Sequence, residues 1–195
     1  PNRSAVQQEG FPWLRNLAEW GGTLKGHALT TSENNSEDDT GDHRGDSRTD
    51  LRRGWTTGAC AVAAAVSAYG ALLTGRFADP VSIRLPRGQT PAFALYDSAL
   101  VGDTAMAAIE KDAGDDPDVT HGAIIRAHLR RFGAPGGITF KAGPGVGTVT
   151  RPGLPLAVGE PAINPAPRRM IEDNIREIGP DGLEITISID DGEAL

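Results

Sequence analysis

Between Gly58 and Thr74 the chain carries a long alanine-rich run, GACAVAAAVSAYGALLT, and this run fixes more of the fold than any other segment. Alanine has the highest intrinsic helix propensity, Thr56 or Thr57 supplies an N-cap, and Gly75 supplies a stop. The expectation is a helix whose small face, Ala59, Ala63, Ala64, Ala65 and Ala68, lies close against a sheet or another backbone. Short alternating segments follow. Val81–Leu85 and Ala92–Tyr96 flank the turn Pro86-Arg87-Gly88 and read as a hairpin. Thr104–Glu110 fits helix or strand. Gly122–Phe132 is open in the same way, though its alternation fits an edge strand with one apolar face. Ile138–Lys141, Val146–Thr150 and Glu184–Ile189 read as strands, and Arg168–Ile178 as a helix with Pro167 in its first turn. The sum is an α+β fold, a mixed sheet with packed helices.

Residues 1–50 differ in character. Phe11, Trp13, Leu14, Leu17 and Trp20 have rough helical spacing up to Gly21-Gly22, but Thr30–Asp50 holds no aliphatic or aromatic residue and is acidic. Such a segment buries too little apolar surface to offset its ordering entropy, so residues 1–50 are expected to be a largely disordered acidic tail. The remaining 51–195 are long enough for one cored domain. A net charge of −7 argues against nonspecific nucleic-acid binding, which depends on cations. No apolar run approaches the roughly 18 residues of a membrane span, no secretory signal is visible, and one cysteine forms no internal disulfide. These features lead to the expectation of a cytoplasmic protein with no membrane partner.

Lys111–Gly122, KDAGDDPDVTHG, packs Asp112, Asp115, Asp116 and Asp118 with His121 into one short segment. Asp, Gly and Pro favour turns, and like charges this close repel unless a cation sits among them. One reading is a solvated turn whose carboxylates cap their own backbone. The other is a functional loop, in which the aspartates bind a hard cation or His121, with Asp116, handles a proton. Gly143, Gly145 and Gly147 evoke a dinucleotide fingerprint, but no helix follows them, so that reading fails. They fit either a plain turn or a backbone anion nest. Cys60 lies in the first helical turn and reads as a buried small residue.

Four strings point further: Gly54–Cys60 (GWTTGAC), Lys111–Gly122, Gly143–Leu156 (GPGVGTVTRPGLPL) and Gly159–Pro165 (GEPAINP). Together they resemble the CbiD family, the cobalt-precorrin-5B C-1 methyltransferases of anaerobic cobalamin biosynthesis, from about Leu51 onward. The resemblance implies S-adenosylmethionine as methyl donor, a corrinoid tetrapyrrole as substrate, cobalt only within that substrate, and a C-terminal Rossmann-like domain missing from this chain. It also raises the functional reading of the acidic and glycine strings as walls of a tetrapyrrole cleft. On that reading His121 and Asp116 are catalytic. Thr56, Thr57, Lys111, Asp112, Asp115, Asp118, Lys141, Gly143, Gly145, Gly147, Arg151, Glu160, Asn164 and Arg168 bind substrate. Arg151, Arg168, Arg169 and Lys141 meet the acetate and propionate arms, because planar guanidinium groups hold carboxylates in bidentate fashion; the equal alternative is a solvated helix face or ion pairs of these cations with Glu160, Glu172 and Asp173. Two other readings stay open: a metal-dependent hydrolase built on the aspartates, and a tetrapyrrole-binding module that is catalytically empty alone.

Overall fold

Thr56 opens the first helix as expected. Its extended backbone and its Oγ1, which accepts the Ala59 N–H at 3.1 Å, start α1 (Thr57–Thr74), and Gly75 in the left-handed region closes it. This computed structural model describes residues 52–153, 155–176, 178, 181–190 and 192. The expected disorder of residues 1–50 lies outside them. After α1 come β1 (Val81–Ser82), β2 (Ala92–Phe93), β3 (Asp97–Val101), β4 (Thr104–Glu110), β5 (Ile124–Pro135), β6 (Ile138–Ala142), α2 (Pro165–Arg176) and β7 (Asp181–Ile189). The architecture is α+β, with a two-stranded ribbon of β1 and β2 and a five-stranded mixed sheet in the order β3-β4-β5-β7-β6. All pairs in the larger sheet are antiparallel except β6 with β7.

The core forms where α1 lies on that sheet. Ala105, Ala107 and Ile109 of β4, Ile125, Ala127 and Leu129 of β5, and Leu183, Ile185 and Ile187 of β7 are buried in register on one face. The alanines of α1 let its backbone approach them closely, and Ile171 and Ile175 of α2 complete the cluster. By length and composition α1 is apolar enough to cross a membrane, contrary to the expectation that no run comes near that. Here 67% of it is buried inside the fold, which accounts for its apolar character without a bilayer.

Several expected elements change. The hairpin is present but pairs only Val81 with Phe93 and Ser82 with Ala92. Thr104–Glu110 resolves to a strand. β5 is central, between β4 and β7, and not an edge. Its polar face of Arg126, His128 and Arg130 looks like an edge in sequence because the side of the sheet away from the helices carries long polar side chains. Val146–Thr150 forms no strand; only an isolated bridge joins Thr148 to Pro161. The second helix begins at Pro165, ahead of the expected Arg168.

One end of the sheet collects the loops of interest. β4 ends where β5 begins, with Glu110 opposite Ile124, and the end of β7 sits beside the start of β5, with Ile189 opposite Ile125. Because β6 runs parallel to β7, its end at Ala142 lies there too. The acidic loop and the glycine loop therefore leave from the same end of the sheet.

A candidate site at the acidic loop

The acidic loop is latched to the segment leading into α1. Trp55 N–H donates to the Asp112 carbonyl at 2.8 Å, Asp115 N–H to the Arg52 carbonyl at 3.0 Å, and Arg52 N–H to the Asp115 carboxylate at 2.6 Å. No side chain fits between these backbones. A Cβ on Gly54 would lie 1.9 Å from the Ala113 carbonyl carbon, and Gly114, at φ +64°, stands against the Arg52 carbonyl. The Arg52 guanidinium takes both Asp112 oxygens at 2.6 and 2.8 Å, the planar bidentate match.

Each carboxylate but one has a defined task. Asp112 caps the Gly114 N–H at 2.8 Å, and that bond, with Arg52, holds its carboxyl below the ordinary aspartate value. Asp118 meets the buried Lys111 ammonium at 2.7 Å and accepts from the Thr120 hydroxyl and N–H. Lys111 first and Thr120 second hold the Asp118 carboxyl far below its usual range. Thr120 in turn lies 3.4 Å from the Thr57 hydroxyl on α1. Asp116 is exposed and has no side-chain partner among the described residues. The bland reading of this string, a turn capping its own backbone, is thus correct for much of it, and the cations that relieve its repulsion are Arg52 and Lys111.

His121 is exposed, and its Nδ1 accepts the Ala113 N–H at 3.1 Å. An accepting Nδ1 places the ring proton on Nε2. The same Nδ1 lies 3.9 Å from Asp112 Oδ1, too far for a hydrogen bond, so the backbone contact is what orients the ring.

A cleft of about 560 Å³ opens beside this loop. Trp55, Phe93 and Tyr96 supply aromatic wall, with Trp55 and Phe93 tilted at 58° and 5.6 Å between ring centres. Arg52, Glu110, Lys111, Asp112 and His121 supply the polar wall. Cys60 lies at its base, where burial pushes its thiol up to about 11 even though Lys111 pulls the other way. A thiolate role for it is therefore absent at neutral pH. The size is that of a small-ligand site, and the lining is about equally polar and apolar, which suits a ligand that is itself charged.

A model of the CbiD family matches residues 44–195. The chain belongs to the CbiD family. It is 59% identical over 139 residues to a protein of Agrobacterium fabrum called cobalt-precorrin-5B C(1)-methyltransferase, covering 70% of this chain and 37% of that one. Proteins of the same name from Halorhodospira halophila and Paramagnetospirillum magneticum match at 54% and 59%, again with 38% and 39% of their length covered. This CbiD segment therefore spans well under half the length of the relatives it matches. No solved structure matches it.

Within the CbiD segment the second string plays a different part from the acidic loop. Gly143 N–H donates to the Ile187 carbonyl, Ile189 N–H to the Pro144 carbonyl, and Val146 N–H turns back to Gly143. Gly145 has φ +73°, and a Cβ there would lie 2.1 Å from the Ile189 carbonyl oxygen. The glycines are needed for this contact with the end of β7; the Gly143 amide is spent on β7 and the Val146 amide on the loop's own turn. Gly147 accepts the Ala162 N–H, which ties on the GEPAINP string.

Two of the cations assigned to the tetrapyrrole rim are engaged. Arg168 donates to Glu160, to the Ile163 carbonyl and to the Pro161 carbonyl at 2.8–3.0 Å, with its guanidinium over the Phe140 ring. Lys141 pairs with Glu184 at 2.7 Å. The Asn164 carbonyl accepts the Arg168 N–H at the start of α2, and Arg151 sits exposed in a turn. Neither the glycine loop nor Arg151 lines the cleft beside the acidic loop.

Sequence reasoning missed one cluster altogether. Arg126 holds both Asp190 oxygens at 2.8–3.1 Å and Asp97 at 2.9 Å, roofing the far face of the sheet so that Ala108 and Ser188 are buried beneath it. Asp190 and then Asp97 raise the Arg126 pKa, and burial followed by the Arg126 charge lowers that of His128. The only sequence signal was a charged residue on each of three separated strand ends.

Proposed function

We propose that the intact protein transfers a methyl group from S-adenosylmethionine to C-1 of cobalt-precorrin-5B, giving cobalt-precorrin-6A. The observation that carries this is the CbiD match over residues 44–195, with relatives of that activity name at up to 59% identity. In the transfer, an electron pair of the ring forms the new C–C bond as the C–S bond of the sulfonium breaks and leaves as a neutral thioether. The sulfonium is already activated, so the protein's work is alignment and stabilisation of shifting charge. Cobalt takes part only as a component of the substrate.

The acidic-loop cleft suits the donor on charge and shape. A sulfonium is a cation, attracted both by aromatic faces such as Trp55, Phe93 and Tyr96 and by carboxylates such as Glu110 and Asp112. His121 lines this cleft with its Nδ1 engaged and offers its Nε2–H as a proton donor, while the unpaired Asp116 of the same loop is open to accept a proton, and Thr56 and Thr57 follow Trp55 at the start of α1. The glycine string, Lys141, Arg151, Glu160, Asn164 and Arg168 then form the framework at the same end of the sheet. A metal-dependent hydrolase fits less well, because Arg52, Lys111 and backbone amides already occupy most of the aspartate oxygens. Among the described residues no group of three or more His, Cys, Asp or Glu is arranged to hold a metal ion.

The chain covers 37% of the first of these relatives, and the second reading is that residues 51–195 bind the tetrapyrrole without turning over. The test uses full-length protein with S-adenosylmethionine and the tetrapyrrole, read by product mass. One added methyl group is expected, and none overturns the assignment. His121→Ala and Asp116→Ala are expected to lower turnover about 10²-fold, the usual contribution of a general acid or base. Unchanged turnover removes them from the chemistry.

A further inference from the structure

Trp55 has a second side. It also borders a groove of about 250 Å³ with Arg53, Arg87, Gln89, Leu85 and Pro86, and this groove shares Leu85, Pro86 and Met170 with another of about 450 Å³ that includes Arg84 and Arg176. The two together carry four arginines in a chain whose net charge is −7; Arg176 is already paired with Glu172 and Asp173 at 3.6 and 3.5 Å, and the groove's other cations are Arg53, Arg84 and Arg87. The floor is apolar, from Trp55, Leu85, Pro86 and Met170.

The arginines are presented from fixed backbone. Asn174, nearly buried on α2, accepts the Arg84 N–H at 2.8 Å and donates to the Arg84 carbonyl at 3.0 Å. The next turn closes through Gly88 N–H to the Leu85 carbonyl at 2.8 Å, setting Arg87 at its tip. Arg53 is locked through the bridge of its backbone to Gly114. Arg53 and Arg87 are exposed, with no ion-pair partner among the described residues.

We propose that this arginine groove, on the far side of Trp55 from the acidic loop, receives the carboxylate arms of the macrocycle. The inference rests on the methyltransferase reading and sharpens it, because it moves the substrate rim away from the acidic loop and from Arg168 and Lys141. A ring bearing several carboxylates is repelled by Asp112, Asp115, Asp116 and Asp118, while guanidinium groups around an apolar floor match both its rim and its face. Arg168 and Lys141 are already held by Glu160 and Glu184.

The experiment uses full-length protein and uroporphyrin, a flat ring with eight carboxylates, followed by fluorescence anisotropy. Arg53→Glu/Arg87→Glu is expected to weaken binding by about tenfold or more, since each arginine makes charge-assisted bonds. Arg53→Lys/Arg87→Lys should fall between. Arg76→Glu, exposed beyond the other end of α1, makes half that change in net charge at a remote place and should leave binding within about twofold. All these positions are exposed, so folding is preserved and is checked by circular dichroism. No porphyrin binding by the parent, an unchanged affinity in the Glu pair, or an equal loss in Arg76→Glu overturns the groove. The methylation assay run in parallel separates the two readings. Turnover with an unchanged KM in the Glu pair removes the groove and keeps the reaction. Groove-dependent porphyrin binding by a parent that never methylates keeps the groove and removes the reaction.

Discussion

Replacing Gly54 with alanine puts the latch between the acidic loop and α1 to a quantitative test. The added Cβ would stand 1.9 Å from the Ala113 carbonyl carbon, whereas carbon atoms in contact sit about 3.5–4.0 Å apart. The obstacle is backbone, which has no rotamer to change, so the two segments must separate by roughly 1.5–2 Å, enough to break their hydrogen bonds. Three bonds span this contact: Trp55 to Asp112, Asp115 to Arg52, and Arg52 to the Asp115 carboxylate. At about 1 kcal/mol net for each, the variant should lose about 3 kcal/mol. The Arg52–Asp112 pair adds nothing to this figure because it is exposed to solvent. Urea unfolding of the chain gives the stability, and hydrogen exchange at the Trp55 and Asp115 amides shows whether the loss is local. Gly70→Ala is the matched control. Nothing lies within 4 Å of a Cβ there, and in a helix interior the change should add about 0.5–1 kcal/mol. If Gly54→Ala unfolds within about 0.5 kcal/mol of the parent, the two backbones are not in the contact described.

Asn174→Ala removes a side chain that satisfies the Arg84 N–H, the Arg84 carbonyl and the Met170 carbonyl, so a loss of about 3 kcal/mol is expected in urea unfolding. A loss below about 1 kcal/mol would show that water replaces the clamp freely. The Cys60 thiol, buried and with its pKa near 11, should react with a thiol reagent at about pH 8 only when the chain unfolds. Equal rates in buffer and in urea would contradict that burial. Acid should weaken the fold through Asp112, Asp118 and Asp190. Their folded pKa values are depressed by the Gly114 amide and Arg52, by Lys111 and Thr120, and by Arg126 respectively. The folded state then binds fewer protons than the unfolded, so their contribution is present above the unfolded value near 3.9 and is lost as pH falls through the lower folded values. Urea midpoints that stay level from about pH 6 to about pH 3 would refute this, and Asp118→Asn should flatten part of the acid limb.

The elements that sequence makes plain are those whose neighbours hardly matter. α1 declares itself by alanine, a threonine cap and a glycine stop, whereas β4 and β5 stay open between helix and strand until the sheet supplies their partners. β3 is invisible in the same way because all five of its residues are exposed at a sheet edge, leaving no burial pattern to read. The central place of β5 depends on Arg126 folding down onto Asp190 and Asp97, partners 64 and 29 positions away. The acidic string is legible as a turn, but its cations are not, since Arg52 lies 60 residues from Asp112. The glycine string is legible as close approach, although the thing approached is the end of β7 and no ligand is needed to explain it. Arg53 and Arg87 carry no motif at all, and only the return of the β1–β2 ribbon to Trp55 makes them neighbours.

Charge is what the proposed reaction and this arrangement have most closely in common. In that proposal the donor is a cation and the acceptor a polyanion, and one pocket of either sign would favour one reactant at the other's expense. On one side of Trp55 the cleft wall carries Glu110 and Asp112 with Arg52 and Lys111, and Asp115, Asp116 and Asp118 stand exposed on the loop beyond it. On the other stand Arg53, Arg84 and Arg87 over an apolar floor. On the proposed reading, fields of opposite sign a single indole apart would draw both reactants to one wall without either competing for the other's contacts. The proposed transfer would convert the donor into a neutral thioether, which has lost its attraction to the carboxylates, so the same aspartates that favour entry of a sulfonium would give its product no hold. An acidic string beside a site for an acidic substrate is a contradiction only while both are assigned to the same ligand.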